Sequence, residues 1–136
     1  MFTTIVCGVH RDETARAAAN TARELAQQLG AALHLVAAFG GSTEPAHTAH
    51  TGEAPGRSEA ESFLEQFAAR GGVQPIVTHA LPGDPSAAIL RVADEVGADL
   101  IVVGNKGMRG IHRVLGSVPN SIAHKASCAV LIVNTT

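Results

Sequence analysis

Short unbroken apolar runs alternate along the chain with longer stretches in which apolar residues recur every three or four positions. "FTTIVCGV" (2–9) is β-branched and too brief for a helix, so it predicts a buried strand. Ala15, Ala18, Ala19, Ala22, Leu25, Ala26 and Leu29 then form one helical stripe, closed by Gly30. "ALHLVAAF" (32–39) predicts the second strand. Residues 40–57, rich in glycine and proline and without periodicity, read as a long mobile loop. A second helix is predicted from about Ser58 to Arg70, with Phe63, Leu64 and Phe67 facing inward. "VQPIVTHA" (73–80) is a strand whose Pro75 suits a sheet edge, because proline cannot donate to a ladder.

Asp84-Pro85 combines an N-cap residue with a proline at the first helical position. Ile89, Val92, Ala93 and Val96 supply the buried stripe of that helix, and Gly97 ends it. "DLIVVG" (99–104) has no polar alternation after Asp99, which predicts a strand covered on both faces. A short helix from about Ser117 to Lys125 and a final strand, "CAVLIV" (128–133), complete the pattern. Regular β-α alternation with short connections implies one α/β domain over residues 1–136, a parallel sheet with helices on both faces. In such folds a ligand sits at the carboxyl ends of the strands, near the point where the strand order reverses. Gly104 stands at such an end.

Composition narrows the class. Hydrophobic residues make up 46% of the chain and charged residues 16%, a globular balance. No apolar run approaches the roughly 18 residues of a membrane span. The start, "MFTTIVCGVHRDE", has no signal-peptide pattern, which predicts a cytoplasmic protein. Cys7 and Cys128 both fall in apolar runs and read as inert core thiols. Net charge is −2, unevenly spread: all twelve acidic residues and six of the ten Lys and Arg precede residue 100. The remainder holds Lys106, Arg109, Arg113 and Lys125 and no carboxylate, which favours an anionic ligand there.

That basic segment is "GNKGMRGIHRVLGS" (104–117), between a buried strand and a helix start. Unpaired N–H groups and the helix dipole favour anions at such a start, and glycines let the main chain turn and approach closely. Ser117 is placed either to cap the helix or to donate to a phosphate oxygen. The segment lacks the Gly-Lys-Ser/Thr ending of a P-loop, and no Gly-x-Gly-x-x-Gly follows the first strand, which speaks against a dinucleotide dehydrogenase.

Gly104-x-x-Gly107, then eight residues, then Gly116-Ser117 resembles the nucleotide-binding signature of the universal stress protein family. "TIVCGV", "GDPSAAILRVADEVGADLIVVGNKG" (83–107) and "LGSVPNSIAHKASCAVLIV" (115–133) are similar to that family's blocks, so the resemblance covers nearly the whole chain. It implies a doubly wound, Rossmann-like five-stranded parallel sheet of order 3-2-1-4-5. The implied ligand is ATP or another adenine nucleotide, with or without magnesium. The implied contacts are Val9, His10, Ala37, Gly104, Asn105, Lys106, Gly107, Met108, Arg109, Gly116, Ser117 and Val118. The resemblance assigns no catalytic or metal-binding residue. Two departures stand out. The family usually has nine residues between its second and third glycines, and its ATP-binding members usually carry Asp where this chain has His10. Two readings follow: a nucleotide-responsive regulator of the stress response, or a dimeric interaction module of the same family that binds no nucleotide.

The remaining candidates are weaker. His47 and His50 have a metal-like i, i+3 spacing, but they lie in a glycine- and proline-rich stretch and read as exposed. His79 and His124 read as surface or packing residues, and Asp12 as a cap of the first helix. No carboxylate follows Asp99 to hold a metal beside phosphates, so no dedicated catalysis is expected beyond slow ATP hydrolysis. With no Trp or Tyr and four Phe, stacking platforms for nucleic acid are missing, and no membrane partner is expected. In the family's strand order the last strand, 128–133, is an uncharged edge, which predicts a homodimer formed through it. The same order separates Cys7 from Cys128 by the fourth strand.

Overall fold

A computed structural model describes residues 1–9, 14–40, 56–69, 75–105 and 115–134. In chain order the elements are β1 (Thr4–Gly8), α1 (Thr14–Leu29), β2 (Ala32–Phe39), α2 (Arg57–Ala68), β3 (Ile76–Pro82), α3 (Pro85–Val96), β4 (Leu100–Asn105), α4 (Ser117–Lys125) and β5 (Ala129–Asn134). The five strands form one parallel sheet of order β3-β2-β1-β4-β5. The predicted fold class and strand order are therefore observed. Helix α2 starts at Arg57 and closes at Ala68, and the last strand starts one residue later than predicted and runs to Asn134. Pro75 precedes β3, which is an edge strand and extends to Pro82.

Two cores arise because successive strand residues point to opposite faces. On one face Ile5, Cys7 and Val9 join Leu33, Leu35 and Ala37 beneath the alanine stripe of α1 and Leu64 and Phe67 of α2. On the other, Val6, Val36, Ile101 and Val103 meet Ile89, Val92 and Ala93 of α3 and Ile122 of α4. The small Ala18, Ala19, Ala22 and Ala26 are all fully buried, which brings α1 close against the sheet. Strand β4 is buried along almost its whole length, as its unalternated sequence requires.

Local chemistry sets the ends. The Asp84 carboxylate accepts the Ala87 N–H at 3.0 Å and the Ser86 hydroxyl at 2.6 Å, capping α3, while Gly97 closes that helix with φ 66°. Asp99 anchors the opposite end of the sheet. Its carboxylate accepts the N–H groups of Thr3 and Thr4 and the Thr3 hydroxyl, at 2.9 to 3.2 Å, tying the approach to β4 to the entrance of β1. Arg23 of α1 donates to the Phe67 carbonyl near the end of α2.

Candidate nucleotide site at the carboxyl ends of the strands

Register places the candidate residues before any ligand is considered. Gly8 aligns with Val36 and Cys7 with Val102, so Val9, Ala37 and Gly104 fall in one row at the carboxyl ends of β1, β2 and β4. The Val9 N–H donates to the Val36 carbonyl at 2.8 Å, extending the β1–β2 contact past the strand. The β1–β4 ladder ends at Cys7–Val102, whereas β4–β5 continues to Asn105–Asn134. Strands β1 and β4 thus part toward their carboxyl ends. That is where the chain order reverses, with α1 leaving to one face and α4 packing on the other.

The side chains of Val9 and Ala37 are buried, and they offer a ligand their backbone and little else. On the β4 side, Asn105 is 5% exposed and its Oδ1 accepts the Gly116 N–H at 2.7 Å. Helix α4 follows at once. Gly116 is its N-cap, its carbonyl accepting the Asn120 N–H at 2.9 Å, and no side chain caps the helix. This corrects the capping role offered to Ser117: it is the first helical residue, exposed, with its hydroxyl outside the cap. Gly116 does not turn the chain with positive φ either, since it has φ −63° and ψ 169°. Ile122 holds α4 on the second core, Val118 packs at that core's margin, and Pro119 is buried in the first turn.

The structure therefore brings together Val9, Ala37, Gly104, Asn105, Gly116, Ser117 and Val118 at one end of the sheet. His10, Lys106, Gly107, Met108 and Arg109 lie outside the described residues, as do Asp12, His47, His50, His112, Arg113 and residues 41–55. Among the described residues no three His, Cys, Asp or Glu side chains converge as a metal site. Cys7 is fully buried, and desolvation pushes its thiol up to about 12, which leaves it inert. The Cys128 thiol is also raised, first by burial and then by the Asp99 and Asp94 carboxylates. Both cysteines are free.

One pair escaped the sequence reading. The His34 Nδ1 lies 2.9 Å from the His79 Nε2, with ring centroids 5.1 Å apart, across β2 and β3. One ring nitrogen donates and the other accepts, so the pair cannot hold its bond with both rings fully protonated. Burial lowers both pKa values. His79 lowers that of His34 further, while Glu95 partly offsets the shift at His79. The two residues are 45 positions apart, and only the strand register brings them together.

Comparison with known proteins agrees with this architecture. The model of the universal stress protein family matches residues 1–134. A Staphylococcus haemolyticus protein assigned to the universal stress proteins is 30% identical over 141 residues, covering 98% of this chain and 86% of the relative. A universal stress protein of Mycobacterium tuberculosis is 44% identical over 66 residues, which span 48% of this chain and only 45% of that relative. Among solved structures, a universal stress protein in complex with cAMP superposes with a TM-score of 0.73, at 31% identity and 99% coverage of both chains. Sequence blocks, strand order and whole-chain superposition lead to one conclusion: the chain belongs to the universal stress protein family.

Proposed function

We propose that this protein binds an adenine nucleotide, with ATP as the first candidate, through residues 104–117, and serves as a nucleotide-responsive regulator of the stress response rather than a dedicated catalyst. The observation that carries the reading is the placement of Gly104, Asn105, Gly116 and Ser117 beside the parting of β1 and β4. There the first N–H groups of α4 have no partner within the helix, and the helix dipole favours a phosphate. The solved relative in complex with cAMP supports the same ligand class. Lys106 and Arg109 add positive charge to the segment, Gly107 and Met108 continue its main chain, and Val118 borders it. Val9, His10 and Ala37 form the nucleoside side, where His10 replaces the usual Asp. Magnesium would accompany a triphosphate. The protein is proposed to act in the cytoplasm as a homodimer joined through the last strand, 128–133, with no nucleic-acid or membrane partner.

The test uses a property of the composition. The chain contains no Trp or Tyr, so it absorbs almost nothing at 280 nm and a co-purified nucleotide dominates the spectrum near 260 nm. Calorimetric titration with ATP, ADP and cAMP then ranks the ligands. Raised melting temperature and saturable binding with at least one of them is the expected result. A featureless spectrum with no binding to any of the three refutes the proposal and leaves the dimeric interaction module.

A further inference from the structure

Asn105 and Gly116 both belong to the segment assigned to the nucleotide, yet each is already engaged by the other. Asn105 ends β4 and is buried, and a buried carboxamide is costly unless its polar atoms are paired. Its Oδ1 takes the Gly116 N–H at 2.7 Å across eleven positions of chain. The Gly116 carbonyl is engaged too, by the Asn120 N–H. Both main-chain polar groups of Gly116 are thus satisfied inside the protein.

The need for glycine has the same origin. With φ −63° and ψ 169°, the Gly116 backbone is open to any residue. A Cβ built there would meet the Asn105 Oδ1 at 3.1 Å, ahead of the Pro119 Cδ at 3.6 Å. The crowding comes from Asn105. Pro119 carries no N–H, so the first turn of α4 presents the Ser117 and Val118 N–H groups and the Ser117 hydroxyl.

We infer that Asn105 is a positioning residue: its carboxamide joins the end of β4 to the N-cap of α4, holds Gly116 back from the ligand, and leaves Ser117 and Val118 as the phosphate-facing donors. The inference rests on the nucleotide reading and deepens it, since the Gly116 N–H, held by the Asn105 Oδ1, then does not reach the phosphate. The 105–116 contact is made in the protein without a nucleotide, so the donors of α4 are oriented before binding.

The wild-type protein supplies the first test. A scalar coupling across the hydrogen bond, from the Gly116 amide nitrogen to the Asn105 carboxamide carbon, is expected by NMR both without ligand and with saturating ATP or cAMP. Loss of that coupling on binding would show Gly116 turning to the phosphate, and would overturn the inference. The second test is a double-mutant cycle read by calorimetry. Asn105→Ala and Gly116→Ala are each expected to weaken nucleotide binding about tenfold, the scale of one hydrogen bond, and the double variant also about tenfold. A full product of the two effects, about a hundredfold, would mean that Gly116 is crowded by ligand rather than by Asn105, and would refute the inference while the nucleotide reading stands. Wild-type protein that binds no nucleotide at all would overturn both.

Discussion

Ile122 seats the helix whose first turn borders the proposed site, and its replacement by alanine tests that seating. The side chain is fully buried among Val6, Ile101, Val103 and the inner face of α3. Ile122→Ala removes about three methylene equivalents, each worth about 0.8 kcal/mol when buried, or roughly 2.4 kcal/mol of transfer energy. The cavity left behind adds to this, because the surrounding sheet and helix relax only in part, which brings the expected loss to roughly 3–4 kcal/mol. Ile122→Val leaves most of the volume filled and is expected to cost about 1 kcal/mol. Val77→Ala, at a position 43% exposed on edge strand β3, is expected to cost less than about 0.5 kcal/mol. Urea unfolding at fixed protomer concentration is the assay, followed by far-ultraviolet circular dichroism because the chain has no Trp. The slope of free energy against urea should stay constant through the series. If Ile122→Ala costs no more than Val77→Ala, α4 is not held on the second core and the placement of Gly116 and Ser117 falls with it.

Three further outcomes follow from other parts of the molecule. The Thr3 and Thr4 N–H groups hold the Asp99 carboxyl below its usual range, so its stabilisation is complete above about pH 4 and is lost as the pH falls through the lowered folded value; Asp99→Ala should flatten that acid limb of the thermal stability profile, and an unchanged profile would refute the anchor. Burial lowers the pKa values of His34 and His79; His79 lowers that of His34 further, while Glu95 partly offsets the shift at His79. Their stabilisation is therefore present above about pH 6.5 and decreases on acidification below it, and His79→Phe should remove part of that slope in pH-dependent melting. Leu131 is 36% exposed on edge strand β5, and Leu131→Lys should convert the proposed dimer to monomer in sedimentation; a dimer of unchanged strength would place the interface elsewhere.

Much of the fold was legible because its signals are local. The period of the alanine stripe marks α1, Asp84-Pro85 marks the start of α3, and the unbroken run after Asp99 marks a strand buried on both sides. Helix ends were less legible: Arg57 already lies in α2 and the helix stops at Ala68 with Ala69 as its C-cap, since a helix end depends on which backbone groups find partners. The glycine segment was recognisable as a motif, but the reason for each glycine was not. Of the glycines in that segment, Gly104 and Gly116 do not take positive φ and Gly107 lies outside the described residues; Gly116 is small because Asn105 lies against it.

The sequence by itself determined the kinds of element, their order, and the place where a basic, glycine-rich segment interrupts them, because hydrophobic period, capping and turn chemistry act over a few residues. Only the tertiary structure decided which side chains meet. The Asp99 anchor joins positions 96 apart, the His34–His79 pair joins positions 45 apart, and the Asn105–Gly116 contact joins positions 11 apart. Each depends on strand register and helix docking. A pattern along one strand carries no information about its height relative to the next.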